Sequence, residues 1–311
     1  MSNESLGKLN NLISTALDLQ KEHRPSGSGA AAGTVVEPHS LPSTETDMEE
    51  FRRTIRRVER FQFSPECSFS HSSEIGEKFR EIRANLQVLQ VDRSVKTLVF
   101  SSAHHKEGKT HTVVNTARFL SQHENRHTLL MDCDLRRPKI KEHVLVDCEY
   151  SLEDVLTGKC ELADALVYSE QDNLAVLPTR HGQHNATELL ETPAMKKVIA
   201  DVREMFDFVL IDTSPTLSTT DPMVLGAMCD AVIIVVKAGS TQRESVEHAI
   251  SLMYQANAKV LGVVLTQVKN HIPKYLYRYH YFNDMYADLY ERLGDSGEPA
   301  RKSRGKRRKR K

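Results

Sequence analysis

The 311-residue sequence has no apolar run of about 18 residues, the length that a helix needs to cross a membrane. Its N-terminus lacks the pattern of a signal peptide. The five cysteines show no metal-ligand spacing and are odd in number, so we expect ordinary thiols in a reducing cytoplasm. What is present, 39% apolar and 27% charged residues, predicts one sizeable globular domain with extensions.

An apolar stretch beginning at Val99 leads into a loop that ends Gly108-Lys109-Thr110. A loop between a strand and a helix turns backbone N–H groups inward, and the helix N-terminus adds partial positive charge. In the phosphate-binding pattern G-x-x-x-x-G-K-[ST], the lysine contacts the β- and γ-phosphates and the hydroxyl binds Mg²⁺. The first glycine of that pattern is replaced here by Ala103. The predicted nucleotide-binding residues are Ala103, His104, His105, Lys106, Glu107, Gly108, Lys109, Thr110 and His111.

Two further apolar runs each deliver acidic residues at their ends. The segment LLMDCDLRRP contains Asp132 and Asp134, and FDFVLIDTSP contains Asp212. Ligands of open α/β sheets bind at the carboxyl ends of strands, where a carboxylate can hold Mg²⁺ or accept a proton. Each acid alone could be a turn or helix-cap residue. Because the phosphate loop and these two acidic segments occur in order, the sequence predicts a nucleotide site that holds Mg²⁺.

The sequence divides into three parts. Residues 1–60 are predicted to hold an amphipathic segment, a flexible Gly/Ser/Pro/Ala-rich linker and a short charged helix over 48–60. Residues 61–272 are the expected P-loop domain, and 273–311 hold a tyrosine cluster and a basic tail. Predicted strands lie at 97–102, 127–132, 173–177, 207–212, 230–237 and 258–265. Predicted helices lie at 74–89, 109–122, 138–144, 151–157, 187–205, 220–228 and 242–256.

This alternation of strands and helices predicts a fold of the α/β class. We expect a P-loop NTPase-like architecture, in which a mostly parallel central sheet is covered by helices on both faces.

Residues 275–290 contain six of the nine tyrosines of the chain. Strict alternation of the first four could form a half-buried strand, or an aromatic platform for nucleic acid. Their position beyond the last predicted strand, among polar residues, favours an exposed tail whose phenolic hydroxyls are candidate phosphoryl acceptors. These tyrosines are Tyr275, Tyr277, Tyr279, Tyr281, Tyr286 and Tyr290.

Taken in order, these segments resemble the bacterial tyrosine autokinases (BY-kinases), P-loop proteins of capsule and exopolysaccharide machinery that are related to the MinD/ParA ATPases. The resemblance covers about residues 74–290. The three nucleotide-site motifs of the family, Walker A, Walker A′ and Walker B, match residues 103–110, 130–136 and 209–215.

Another motif of the family, E-x-x-R-x-x-R, is present as Glu77, Arg80 and Arg83. In the BY-kinases it makes subunit contacts within a ring-shaped oligomer, and the resemblance implies the same for this chain. The three residues fall near one helix face, since positions three apart are neighbours on a helix. A solvated, salt-bridged face is the alternative interpretation.

The resemblance implies transfer of the ATP γ-phosphate to C-terminal tyrosines of neighbouring subunits, regulating capsular or exopolysaccharide synthesis or export. The implied catalytic residues are Lys109, Asp132 and Asp134, and the implied Mg²⁺ ligands are Thr110, Asp132 and Asp212. The implied partner is a separate membrane-bound activator of the polysaccharide co-polymerase type. The expected location is therefore the cytoplasm, peripheral at the inner membrane.

The basic tail suits this location. Net charge is zero, but the last eleven residues carry nine Lys or Arg and no acid. Such clusters bind anionic lipid surfaces. An arm that binds nucleic acid is the less favoured alternative, which composition alone does not separate.

The sequence also departs from the family pattern. His105 and Lys106 replace a Pro-Gly pair, and loss of that glycine removes freedom for positive φ. Leu265-Thr266-Gln267 stands at the end of the last predicted strand, where the family often has an asparagine that contacts the base, so recognition of adenine by this chain is an open point of the resemblance. The alternatives are a nucleotide-binding scaffold without catalysis, or a MinD/ParA-like ATPase switch without kinase activity. The signature lysine of the switch proteins is absent, because His104 occupies its place.

Overall fold

An eight-stranded sheet forms the centre of the computed structural model, which describes residues 54–70, 72–93, 95–122, 126–180, 182 and 185–268. The predicted N-terminal amphipathic segment and linker, the six clustered tyrosines and the basic tail lie outside the described residues. Within the described part of the chain, no helix combines the length and apolar character needed to span a membrane.

The large sheet has the strand order β1-β6-β7-β4-β8-β3-β9-β10, and β2 pairs with β5 in a separate small sheet. The strands are β1 Arg56–Val58, β2 Gln62–Phe63, β3 Thr97–Ser102, β4 Thr128–Asp132, β5 Val144–Leu145, β6 Val167–Ser169, β7 Leu174–Leu177, β8 Phe208–Asp212, β9 Ala231–Lys237 and β10 Val260–Thr266. Neighbours in the large sheet are parallel except for β6 and β7. The predicted mostly parallel sheet is confirmed.

Helices cover both faces of this sheet. They are α1 Glu74–Arg93, α2 Lys109–Ser121, α3 Ile140–His143, α4 Leu152–Leu156, α5 Leu162–Ala165, α6 Ala186–Leu190, α7 Pro193–Met205, α8 Asp221–Met228 and α9 Arg243–Gln255. Helices α1 to α3 share an apolar core with one face of the sheet, and α4 to α9 share a second core with the other face. The predicted coverage of both faces is therefore confirmed.

The central strands are buried along their whole length. In β3, Val99 packs into one core while Leu98 and Phe100 pack into the other. Burial of each such side chain contributes about 1.5–3 kcal/mol. Strands covered on both faces appear in the sequence as nearly continuous apolar runs. For this reason the predicted bounds of β3, β4 and β8 agree closely with the structure.

Two predicted helices need correction. The helix expected over 187–205 is two helices, α6 and α7, because the hydroxyl of Thr192 accepts a hydrogen bond from the Met195 N–H and Pro193 begins a new helix. The charged helix expected over 48–60 is wrong at its C-terminal end, where Arg56–Val58 pair with β6 as a parallel edge strand. Tertiary pairing overrides a short helical pattern there.

A carboxylate on the connection between α8 and β9 joins distant parts of the fold. Asp230 Oδ2 accepts hydrogen bonds from the N–H groups of Lys96 and Thr97, each at 2.9 Å, and Oδ1 lies 3.2 Å from Arg203 Nη2. Burial acts to raise the pKa of Asp230, but these hydrogen bonds outweigh it and hold the pKa below its ordinary value.

We expect Asp230→Ala to destabilise the fold by about 2–3 kcal/mol, which lowers Tm by about 5–10 °C at pH 7. A depressed pKa means that this stabilisation is present above the unfolded-state pKa and is lost as pH falls through the folded-state pKa. The difference in Tm should therefore shrink in acid. Thermal melts from pH 7 to pH 3 measure it, with exposed Asp147→Ala as the matched control. Equal melting of the Asp230 variant and the parent at pH 7 would contradict the prediction.

Candidate nucleotide-binding and active site

The predicted site segments meet at one edge of the sheet. Strand β8 lies between β4 and β3, so that Asp212 is paired in register with Asp132 on one side and Phe100 on the other. The phosphate loop follows β3 directly. The carboxyl ends of these three parallel strands therefore bring the loop and the aspartates to one place, as expected for an open α/β sheet.

Three of the predicted residues are in direct contact. Lys109 Nζ lies 2.9 Å from Asp212 Oδ1, and the Thr110 hydroxyl donates to Asp212 Oδ2 at 2.6 Å. Asp212 is fully buried and Lys109 nearly so. A buried ion pair of this kind is stable only while both partners are present. Asp212 thus holds the ammonium group of Lys109 and the hydroxyl of Thr110 next to each other.

The phosphate loop has the backbone shape of an anion-binding concavity. Gly108 adopts φ +89° and Lys106 adopts φ +63°, both in the left-handed region. Helix α2 begins at Lys109, so its first N–H groups lie at the end of the loop. Left-handed residues next to a helix N-terminus direct successive N–H groups into one concavity. The local geometry matches what a bound phosphate requires.

A network that the sequence does not reveal ties this loop to two other elements. Glu107 is 3% exposed, and its Oε2 accepts a hydrogen bond from the His104 N–H at 3.0 Å. The Thr241 hydroxyl donates to Glu107 Oε1, and the Thr266 hydroxyl donates to the Glu107 carbonyl at 2.6 Å. Thr241 follows β9 and Thr266 ends β10, so both lie at the carboxyl edge of the sheet.

The two remaining aspartates differ in their surroundings. Asp132 is fully buried, and its Oδ2 accepts hydrogen bonds from the Lys139 and Ile140 N–H groups at 3.0 Å each. Asp134 is also buried, and its Oδ2 lies 3.9 Å from Lys109 Nζ. Asp132 therefore anchors the chain that follows it, whereas Asp134 faces the lysine of the loop.

Burial raises the pKa of both carboxyls. For Asp132 the pKa lies well above the ordinary value, because the negative charge of Asp212 adds to the desolvation. For Asp134 burial is again the largest cause, and the charge of Lys109 partly opposes it. Asp134 is consequently a stronger proton acceptor than an exposed aspartate.

Positive charge surrounds the outer part of the loop. The pKa of His105 is lowered by burial first and then by Arg137, Lys109 and Lys139. The imidazole is therefore held neutral near pH 7. The same cationic groups would attract a polyphosphate.

A second network lies beside Asp134 and was not predicted. The fully buried Asp221 accepts a hydrogen bond from Arg136 Nε at 3.1 Å and from the hydroxyl of Thr187. Ser214, in the segment that follows β8, also donates to Asp221 at 3.3 Å. In the sequence Asp221 looks like an ordinary first-turn acid of α8, so no pattern marked it. The network fixes the arginine of the Walker A′ segment against the Walker B segment.

The oxygen donors suit Mg²⁺. Across the described ranges, no cluster of three or more His, Cys, Asp or Glu side chains is arranged to hold a metal ion by itself. Thr110 and Asp212 offer oxygens from one corner of the site. Magnesium typically takes one or two protein oxygens and completes its shell with water and phosphate oxygens. The predicted role of Asp132 as a further ligand stays a prediction.

Glu77, Arg80 and Arg83, the predicted interface residues, lie on α1. Arg80 forms an ion pair with Glu77 within this helix, as in the alternative interpretation of a salt-bridged face. Phe79, which lies between Glu77 and Arg80 in the sequence, is buried, and its ring centroid is 5.7 Å from that of Phe69. The role of the motif in subunit contact stays a prediction.

Comparisons with known proteins agree with this geometry. A family model described as an AAA domain matches residues 95–265. Tyrosine-protein kinase YwqD of Bacillus subtilis (strain 168) is 31% identical over 193 residues, 62% of this chain and 81% of the relative. Tyrosine-protein kinase CpsD of Streptococcus agalactiae is 30% identical over 200 residues, 64% of this chain and 86% of the relative.

More distant and structural matches extend this picture. The succinoglycan biosynthesis transport protein ExoP of Rhizobium meliloti (strain 1021) is 28% identical over 207 residues, which cover 26% of ExoP. The crystal structure of the chimerical protein CapA2B2 superposes with a TM-score of 0.62 at 26% identity, covering 73% of this chain and all of that one. The P-loop, the ordered aspartates and these relatives together show that the chain belongs to the bacterial tyrosine-protein kinases, a family of P-loop enzymes.

Proposed function

We propose that this chain is an autokinase that transfers the γ-phosphoryl group of ATP to tyrosines of a neighbouring subunit. The acceptors are the six tyrosines of residues 275–290, and the subunits form a ring through Glu77, Arg80 and Arg83. The observation that carries the proposal is the contact of Lys109, Thr110 and Asp212 with Asp134 beside it, in a member of a tyrosine kinase family.

In the proposed mechanism the protein aligns the reactants and neutralises charge. The loop N–H groups and Lys109 hold the phosphates of ATP. Thr110 and Asp212, with Asp132, would hold Mg²⁺, which supplies charge neutralisation when it is bound. The tyrosine oxygen bonds to the γ-phosphorus while the bond to the β–γ bridging oxygen breaks, and ADP leaves. Alignment and electrostatic stabilisation account for most of the rate in such transfers.

We assign to Asp134 the role of proton acceptor. A tyrosine hydroxyl has a pKa of about 10, so its proton must leave as the bond to phosphorus forms. Asp134 lies next to Lys109, and burial raises its pKa, which makes it a better base than an exposed aspartate. Asp132 accepts hydrogen bonds from the backbone N–H groups of Asp134, Lys139 and Ile140 and would also position the loop that carries Asp134.

The proposed cellular role is regulation of capsular or exopolysaccharide synthesis or export, from the cytoplasmic side of the inner membrane. The name of ExoP, a relative of this chain, supports that role. The proposed activator is a separate membrane protein of the polysaccharide co-polymerase type. Residues 301–311 would hold the chain at anionic lipid. Each phosphate adds roughly −2 charges near neutral pH, which would loosen the ring.

Mixing two defective chains tests transfer between subunits. One chain carries Lys109→Met and keeps its tyrosines, and the other keeps Lys109 and has Phe at the six tyrosines. After incubation with Mg·ATP, intact-mass spectrometry should find phosphates on the Lys109→Met chain only when the second chain is present. An Asp134→Asn chain, which retains the ion pair of Lys109 with Asp212, serves as a second inactive acceptor.

The outcomes separate the candidate functions. Phosphates on an acceptor chain incubated alone would contradict the requirement for a catalytic neighbour. If mixing gives no labelled tyrosine, the cytoplasmic tail of a candidate activator is added. Continued absence of labelling then contradicts the autokinase. Steady release of phosphate without labelling would indicate an ATPase switch, and ATP binding without turnover would indicate a scaffold.

A further inference from the structure

Lys106 is held in an unfavourable backbone conformation within the phosphate loop. Its φ of +63° lies in the left-handed region, which glycine adopts freely but which brings a Cβ too close to the following carbonyl oxygen. Such strain persists only where surrounding contacts hold it in place. The residue that follows Lys106 is Glu107, which makes contacts of this kind.

Glu107 connects the loop to the neighbouring part of the sheet. Its buried carboxylate accepts the His104 N–H on one oxygen and the Thr241 hydroxyl on the other. Its carbonyl accepts the Thr266 hydroxyl at 2.6 Å. Hydrogen bonds to a buried carboxylate are stronger than neutral ones, and losing one partner leaves a desolvated oxygen. One donor from the loop itself and two from outside it, after β9 and at the end of β10, thus fix Glu107 between the two left-handed residues Lys106 and Gly108.

We propose that Glu107 and Thr241 are positioning residues that hold Lys106 in its left-handed conformation before nucleotide arrives. Because the loop is ordered in advance, its N–H groups face the phosphates without a further ordering cost on binding. The inference rests on the proposed function only in that the loop binds a nucleotide. The rate of phosphoryl transfer does not enter it.

Two substitutions at Lys106 isolate the backbone effect. Lys106→Ala and Lys106→Gly both remove the positive charge, but only glycine relieves the unfavourable φ. Thr241→Val is added to each full-length chain, and the Kd for Mg·ATP is measured by titration calorimetry. We expect Thr241→Val to raise Kd about five- to tenfold in the alanine background. In the glycine background the rise in Kd should be at most about twofold, because glycine adopts the left-handed φ without a steric cost that Thr241 must offset.

Two control variants test whether Thr241→Val acts through the loss of its hydrogen bond to Glu107 or through a general loss of stability. Thr241→Ser keeps the hydroxyl and should leave Kd within about twofold of the parent. Thr157→Val, just after the C-terminus of α4, removes a hydroxyl that donates to the Glu153 carbonyl at 2.8 Å, and should leave Kd unchanged. Thermal melts confirm that each variant is folded under the conditions of the titration.

Equal effects of Thr241→Val in both Lys106 backgrounds would overturn the proposal, since Thr241 would then act independently of the strain. No effect in the alanine background would overturn it as well. Loss of tyrosine phosphorylation with an unchanged Kd would count against the autokinase and not against this role. Failure of the unaltered chain to bind Mg·ATP would overturn both.

Discussion

Lys109→Met is expected to reduce tyrosine phosphorylation about 1,000-fold, close to the limit of detection. The ammonium group of Lys109 is buried, and its Nζ lies 2.9 Å from Asp212 Oδ1. Its proposed task is to stabilise charge on the transferred phosphoryl group, for which the methyl thioether of methionine offers no substitute. Intact-mass spectrometry after single-turnover incubation with Mg·ATP measures the loss.

The same substitution has a second effect, on stability. Removing one partner of a buried ion pair leaves an uncompensated charge, here Asp212, and costs about 3–5 kcal/mol. The double variant Lys109→Met/Asp212→Asn should recover much of that stability without recovering activity. Because Asp212 is itself a proposed Mg²⁺ ligand, the double variant reports on stability alone, and a thermal melt of Lys109→Met under the assay conditions separates unfolding from lost chemistry. Phosphorylation by Lys109→Met at more than about a tenth of the parental rate would refute the assigned role.

Asp134→Asn is expected to lower the rate of phosphoryl transfer by about 10²–10³-fold while raising Tm by a few degrees at pH 7. An amide cannot accept the tyrosine proton, which explains the lost rate. Burial raises the pKa of Asp134, so its charged form destabilises the folded state at neutral pH, and the neutral amide removes that cost. Affinity for Mg·ATP should be unchanged or tighter, because one negative charge near the phosphates is gone.

Both the gain in Tm and the loss of rate should depend on pH in a defined direction. A carboxyl whose folded-state pKa is raised destabilises the fold when it is charged, so the Tm difference should begin to shrink as pH falls below the folded-state pKa and disappear only at the unfolded-state pKa. The parental rate should fall over the same interval, because a protonated Asp134 cannot act as base. Rate profiles and thermal melts between pH 4 and pH 8 test both statements, with exposed Asp147→Asn as control. A variant that transfers phosphate at the parental rate would remove Asp134 from the mechanism.

Much of this fold could be predicted from local patterns. Strands β3, β4 and β8 are buried on both faces, so each leaves a continuous apolar run in the sequence. The phosphate loop follows β3 directly, and the site aspartates come at the ends of β4 and β8. For this reason Lys109, Thr110 and Asp212 could be predicted from the sequence to belong to one site. Strands β1, β5 and β6, only two or three residues long, are too short to show a period.

Contacts between loops could not be predicted in the same way. Thr241 meets Glu107 across 134 positions of sequence, and Arg136 meets Asp221 across 85. Each contact depends on how two connections fold back from the sheet edge, which no local spacing encodes. The backbone conformation of Lys106 could not be predicted from local spacing either. The missing glycine was visible in the sequence, but the left-handed backbone at that position, and the residues that hold it, were not.

The place of β8 between β3 and β4 also determines when the site can exist during synthesis. The ribosome makes β3 and β4 before β8. These two strands are not neighbours in the sheet, and β8, which lies between them, comes from a much later part of the chain. Lys109 and Asp212 are 103 positions apart, so the lysine leaves the ribosome long before its partner. The emerging chain therefore carries an unpaired phosphate loop, and its nucleotide site closes only after most of the domain has been translated.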